Sequence, residues 1–241
     1  MTPILKSDCT IIDSDKAVEP MVTVDMLLVN ALRHLDDEGR KMLVERLSSY
    51  GNSAPKVEPL DIDKALKLPT LTDITEYAIS CHRNTNHKYD GTKPYGHHLS
   101  MVEKVANEFQ HLLGMTDTFN VIAACYCHDL IEDTRETYND VLKRTNKEIA
   151  DIAYALTNEK GRNRKERAND KYYQGIRDCG KNAVFVKVCD RIANIQYSLE
   201  NKSGMFHKYV KENNNFMGQL YRDDLKPMFD KLIELTKTPM P

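Results

Sequence analysis

Tryptophan is absent from the 241 residues, and only 10 glycines and 9 prolines punctuate them. That is too sparse for the dense turns of a β-sandwich or barrel. No charge of one sign dominates: 34 Lys and Arg face 36 Asp and Glu, a formal net charge of -2. A clearly basic domain, the electrostatic footprint of nucleic-acid binding, is missing, and no nucleic-acid partner is expected. Long apolar runs are missing too. The longest, Val121 to Cys127, has seven residues, against the ~18 of a membrane helix, so no membrane span is expected. The six cysteines (Cys9, Cys81, Cys125, Cys127, Cys179 and Cys189) form no C-x-x-C pair. Cys125 and Cys127 are two apart and do not face each other on a helix. All read as reduced, buried thiols of a cytoplasmic protein. The first residues, MTPILKSDCTIIDSDKAVEP, lack the basic-then-apolar layout of a signal peptide, which points to the same compartment.

What is present is material for one helical core. Apolar residues make up 41% and charged residues 29% of the chain, enough to bury a proper interior. Residues 1–65 read as an N-terminal helical extension. Val24 to Tyr50 carries a helical apolar pattern, Gly51-Asn52-Ser53-Ala54-Pro55 stops it, and a connector runs to about Pro69. Residues 66–241 read as the main domain. Asp73 with Glu76, Thr137 with Asp140 and Thr145 with Glu148 offer capping-box helix starts. His98 to Leu113 shows one apolar face, and Val121 to Ile131 is apolar nearly all round, the mark of a helix in the middle of a bundle. Ile149, Ile152, Ala153 and Leu156 repeat at helical spacing. Asn158 to Lys171 interrupts with a polar stretch rich in Lys and Arg. Ala183 to Leu199 is apolar again; its β-branched start rivals as a strand, but its continuation reads as helix. Phe216 to Leu235 is a last helix, kinked or restarted at Pro227. The expectation is an all-α bundle.

Within this apolar frame, metal-ligand residues gather at four places: His97-His98, His128-Asp129, Glu132-Asp133 and Asp190. His128 and Glu132 are four apart, as are Asp129 and Asp133, so each pair is expected to stack on one helix face. Unpaired carboxylates in such surroundings are costly, and a divalent cation compensates them. Two His and two Asp with open positions suit Mn²⁺, Fe²⁺ or Zn²⁺ without choosing among them. The bland alternatives are hydrogen-bonded core histidines and an ordinary ion pair between Asp190 and Arg191. It is the ordered set of His, His-Asp-x-x-Glu-Asp and Asp, each on a helix, that favours a metal site.

Three blocks carry a resemblance: Pro94-Tyr95-Gly96-His97-His98, Cys127-His128-Asp129-Leu130-Ile131-Glu132-Asp133-Thr134, and Val186-Lys187-Val188-Cys189-Asp190-Arg191-Ile192-Ala193-Asn194. Together they resemble the signatures of HD-domain phosphohydrolases, and in particular the hydrolase domain of RelA/SpoT-type alarmone enzymes and their small single-domain relatives. The resemblance spans about Leu71 to Leu220, and the Glu-Asp-Thr after His-Asp is its specific part. It implies an HD-domain helical bundle in which His98, His128, Asp129 and Asp190 bind the metal, with Mn²⁺ the implied ion. His98 is chosen over His97 because it lies three residues after Tyr95, as in the family. By the same resemblance, Glu132 and Asp133 position and deprotonate the attacking water, while His87, Lys88 and Asn194 meet the nucleotide.

The implied reaction is metal-dependent removal of the 3′-diphosphate from (p)ppGpp or a related nucleotide, releasing pyrophosphate, within the stringent response. The Lys/Arg excess between Asn158 and Lys171 is a candidate second phosphate contact, but a solvated loop is the simpler and favoured explanation. Departures from the family pattern fall on base recognition. His87 stands where an Arg that stacks on guanine is expected, in a stretch two residues longer than usual. Ala193 replaces the family's His, Gln196-Tyr197 its later Arg-Thr, and Leu99 the Pro after the metal His. The alternatives are another HD-type nucleotidase on the same metal site and a nucleotide-binding module without turnover. No alarmone synthesis is expected, because the chain ends about where a synthetase domain would begin. The sequence does not set the oligomeric state or the role of residues 1–65.

Overall fold

The computed structural model describes residues 35, 36, 38–42, 45, 68–114 and 117–239. The chain divides into two compact units, Met1–Thr70 and Leu71–Pro241. Most of the helix expected over Val24 to Tyr50, its Gly51–Pro55 stop and the connector up to residue 67 lie outside the described residues; positions 38–42 and 45 are helical.

The second unit is all-α apart from one small hairpin. Helix α1 spans Leu71–Asn84. Strands β1 (Lys88–Tyr89) and β2 (Lys93–Pro94) pair antiparallel within the polar stretch before the first histidine block. Helix α2 is Gly96–Phe109, extended by a 3₁₀ turn over Gln110–Leu112. Then follow α3 (Asp117–Cys127), α4 (Leu130–Asp133), α5 (Tyr138–Arg144), α6 (Lys147–Leu156) and α7 (Arg164–Arg167). Helix α8 is Asp170–Cys179, α9 is Lys181–Glu200 and α10 is Met205–Leu220. A 3₁₀ turn (Asp223–Leu225) leads to α11 (Lys226–Lys237).

The local chemistry explains most boundaries. Thr137 and Asp140 form the expected capping box on α5. On α6 the cap is Asn146, whose side chain accepts from the Ile149 N–H, and not Thr145. Glu148 is used in tertiary structure instead, accepting from the Asn182 amide at 2.7 Å. Helix α1 begins before Asp73, which sits in its first turn, where a carboxylate complements the helix dipole. Asn163 and Asn169 cap α7 and α8, two helices that the polarity of Asn158 to Lys171 concealed. Pro227 falls in the first turn of α11, so it starts a new helix and does not kink an old one.

The Ala183–Val188 run is helical, as its continuation argued, and α9 forms the axis of the unit. It packs against α2, α3, α6, α8, α10 and α11. Phe185 and Ile192 of α9 are fully buried. Helix α3 is buried from Asn120 to Cys127, as expected for a central helix, and packs on α1, α2, α6 and α9. It does not, however, run on to Ile131. The His128 ring nitrogen Nδ1 lies 2.8 Å from the Cys125 carbonyl, taking up the acceptor that the next backbone N–H would use. The chain turns at His128-Asp129 and restarts as α4.

Candidate functional site

The central helices α2 and α9, with the turn after α3, bring three segments distant in sequence to one buried point. His98 comes from the first turn of α2, and its neighbour His97 is exposed. His128 and Asp129 occupy the turn that ends α3, and Asp190 lies midway along α9. His98 Nε2 is 3.3 Å from Asp190 Oδ1 and 3.7 Å from Asp129 Oδ2. His128 Nε2 is 2.9 Å from Asp129 Oδ2 and 3.9 Å from Asp190 Oδ1. Four of the residues singled out in the sequence therefore meet through four side-chain atoms. The alternative of an Asp190–Arg191 ion pair is not met: Asp190 pairs with Lys187 at 3.0 Å, and Arg191 with Glu212.

The electrostatics of this cluster suit a cation. With Nδ1 of His128 committed to a carbonyl, Nε2 is turned to the carboxylates of Asp129 and Asp190. Burial alone would push the His128 imidazole down, but the Asp129 and Asp190 carboxylates overcome it and raise it to about 9. Asp190 sits well below the usual carboxylate range: burial opposes this, and Lys187 and the two histidines outweigh burial. His98, His128 and Asp190 form a buried group that could hold a metal ion, with Asp129 adjoining it. Imidazole and carboxylate donors together fit a divalent transition metal.

Around the cluster stand groups that the sequence patterns did not single out. The Tyr95 hydroxyl donates to Asp129 Oδ2 and lies 3.5 Å from Asp133 Oδ2. Burial and the Asp129 carboxylate push the Tyr95 phenol far up, so it stays a donor. The backbone N–H of Asn158 donates to Glu132 at 3.1 Å, and its side-chain amide to the same carboxylate at 2.8 and 2.9 Å. Glu132 is thus oriented by Asn158, just past the end of α6. Asp133 is raised to about 7 by burial, with Asp129 and Glu132 adding to the effect.

A cavity of about 750 Å³ opens on the cluster. His98, Asp129, Glu132 and Asp190 line it, as do Tyr89, Lys187 and Asn194. Three of the expected contacts need restating. Asn194 lines the cavity, but its amide donates to Asp190, and its oxygen accepts from the Tyr89 hydroxyl at 2.9 Å. His87 does not line it. Its ring stacks on Tyr95 at 3.9 Å between centroids, with Nδ1 3.1 Å from Nδ1 of His82. Lys88 is exposed on β1 and is also absent from the cavity wall. By contrast Arg164, Lys165 and Arg167 of the basic stretch do line it. The clearest signal available for an unrecognised neighbour was Lys187, which is three residues before Asp190 and so on its helix face.

Comparison with known proteins gives a consistent picture. No protein-family model matches the chain. A guanosine-3′,5′-bis(diphosphate) 3′-pyrophosphohydrolase, MESH1, from Danio rerio is 28% identical over 126 residues, covering 52% of this chain and 67% of the relative. The MESH1 of Xenopus tropicalis is 25% identical over 126 residues, covering 52% of this chain and 68% of its own. A solved structure of a metazoan ortholog of SpoT, described as hydrolysing ppGpp, superposes with a TM-score of 0.54 at 18% identity. The match covers 69% of this chain and 95% of that one. The chain shares that protein's fold, an all-α bundle, and is similar in sequence to the two hydrolases.

Proposed function

We propose that this chain is a metal-dependent hydrolase of the (p)ppGpp 3′-pyrophosphohydrolase kind, with the domain at residues 66–241 carrying the activity. One observation supports this above all. His98 and His128 each lie between 2.9 and 3.9 Å from Asp129 and Asp190, beside a cavity that His98, Asp129 and Asp190 line, in a chain whose sequence relatives cleave that nucleotide. These four side chains are the metal ligands, and Mn²⁺ is the ion proposed. When bound, such an ion makes a water more acidic and stabilises charge on the phosphoryl oxygens.

The chain's own residues do the rest. Glu132 and Asp133 position and deprotonate the attacking water. Of the two, Glu132 faces the cavity, fixed there by Asn158. Tyr95 holds Asp129 and stands between it and Asp133. Lys187 and Asn194 fix the two oxygens of Asp190, so that it presents one geometry. Asn194 meets the nucleotide from the cavity wall, with its amide engaged on Asp190. His87 and Lys88, outside the cavity wall, give the base fewer contacts than the family pattern implied. That absence favours, as a second reading, hydrolysis of a related nucleotide on the same site. The free thiols of Cys81, Cys125, Cys127, Cys179 and Cys189 accord with a reducing, cytoplasmic compartment.

A substrate panel with Mn²⁺ tests the proposal. It comprises ppGpp, pppGpp, their adenine counterparts and ordinary nucleotides, with pyrophosphate and monophosphate release read separately. Pyrophosphate from ppGpp and pppGpp is expected. Monophosphate from ordinary nucleotides with ppGpp left intact would move the chain to the nucleotidases, and tight binding without any turnover to nucleotide-binding modules.

A further inference from the structure

The β1–β2 hairpin reaches the metal cluster through one side chain, Tyr89. Its ring lies flat on the imidazole of His98, with centroids 4.8 Å apart and planes 11° from parallel. Its hydroxyl donates to Asn194 Oδ1 at 2.9 Å, and the Asn194 amide in turn donates to Asp190 Oδ1. One residue outside the ligand set therefore contacts one ligand directly and reaches a second through a single intermediary.

The surroundings hold Tyr89 in place. Two strands of two residues each make a marginal hairpin on their own, so its contacts with α9 matter. The Tyr197 hydroxyl of α9 donates to Asp90 Oδ2 at 2.9 Å, and the Tyr197 ring meets that of Tyr89 edge-on at 4.8 Å. Lys93 of β2 lies over the same Tyr197 ring, 4.7 Å from its centroid.

His98 is the ligand that needs such a support. A histidine that binds a metal through one nitrogen is usually oriented by a hydrogen bond at the other. His128 has that bond, from Nδ1 to the Cys125 carbonyl. His98 turns Nε2 to Asp129 and Asp190, and its buried Nδ1 has no hydrogen-bond partner among the described residues. The plane of its ring is then set by packing. Tyr95 and His128 meet it edge-on, both at 5.3 Å. Of these three rings, Tyr89 alone lies parallel to it and covers its face. Asp190 depends on Tyr89 less, because Lys187 also holds it at 3.0 Å.

We propose that Tyr89 is a positioning residue of the metal site: its ring, pinned to α9, fixes the plane of His98 by stacking. The inference rests on reading His98 and Asp190 as metal ligands. It gives the hairpin a task in the site although Lys88 and His87 stand outside the cavity wall.

The test is calorimetric titration of the full chain, stripped of metal, with Mn²⁺. Losing an outer support of a ligating histidine costs about 10- to 100-fold in metal affinity, and Tyr89→Ala is expected to show such a loss. Tyr89→Phe keeps the stack and loses one neutral hydrogen bond, so it should bind within about threefold of the wild type. Wild-type affinity in Tyr89→Ala overturns the proposal, as does a loss in Tyr89→Phe equal to that in Tyr89→Ala. Should Tyr89→Ala fail to fold, Tyr89→Leu, which keeps apolar bulk without an aromatic face, carries the same expectation. At saturating metal, the electron paramagnetic resonance spectrum of bound Mn²⁺ should change shape in Tyr89→Leu and match the wild type in Tyr89→Phe. An unchanged spectrum in Tyr89→Leu leaves Tyr89 a merely structural residue. Absence of Mn²⁺ binding in the wild type contradicts the ligand reading itself, whereas normal wild-type binding with unaltered variants contradicts only the role of Tyr89.

Discussion

At the scale of single residues, the proposed function gives different tasks to carboxylates that are near neighbours. His98→Ala and Asp190→Ala should each abolish Mn²⁺ binding and hydrolysis. Asp190→Ala should also destabilise the metal-free protein, since removing one member of a buried charged pair costs about 3–5 kcal/mol; here it strands Lys187. Glu132→Ala should keep the metal and lose rate. Equilibrium dialysis with Mn²⁺, run beside the assay, separates the two behaviours; full activity in Asp190→Ala refutes the ligand assignment. Asp133 predicts a pH dependence. Its carboxyl is raised to about 7 by burial, with Asp129 and Glu132 contributing, and a cation bound beside Asp129 draws it back down. A proton acceptor works only when deprotonated. The rate should therefore fall as pH drops through a midpoint between the ordinary carboxylate value and about 7, and Asp133→Asn should remove that acid limb. An acid limb that persists in Asp133→Asn, as a pH profile of kcat would reveal, transfers the role to Glu132.

The metal-ligating types were legible in sequence because carboxylates and imidazoles stand out sharply on apolar helices. Their supports were not. Tyr95 and Asn158 reach their partners from other elements, and nothing in their own neighbourhoods marks them; Lys187 alone carried a signal, its spacing from Asp190 on one helix face. His87 stacks on Tyr95 and lies beside His82, five residues earlier, a pairing that no sequence pattern marks.

At the scale of elements, the apolar period predicted α2, α3, α6 and α9, since in each of them buried apolar side chains dominate one face or nearly all faces. Helices α7 and α8 escaped because their buried positions are few and partly polar. In α8 they are Tyr172, Tyr173 and Ile176, set among charged residues, and the Tyr172 hydroxyl is satisfied by the Leu156 carbonyl at 3.1 Å. The end of α3 was hidden for a different reason: an imidazole takes a backbone acceptor there, which no hydrophobic pattern records. The joint between α8 and α9 depends on Gly180, whose φ of +107° and ψ of -168° suit glycine almost alone. Gly180→Ala meets no steric neighbour, so its cost is backbone strain, about 1–3 kcal/mol. Urea unfolding should show that loss as a lower midpoint with an unchanged slope. An unaltered midpoint would mean that the joint relaxes freely.

At the scale of the whole molecule, a net charge of -2 conceals a division of labour inside one cavity. Carboxylates from α4, the α3 turn and α9 gather where a cation is needed, and arginines and lysines from α7, α9 and α10 face it across the same space. A near-neutral overall charge permits strong local attraction for a small, highly charged anion. The central claim is that this division serves to cleave a diphosphate from a guanosine 3′,5′-bis(diphosphate). Incubating the purified protein with ppGpp and Mn²⁺, with and without a chelator, and resolving the products tests it most directly. The account predicts GDP and pyrophosphate in equal amounts, abolished by the chelator and by His128→Ala. Intact ppGpp, or release of single phosphates, would contradict it.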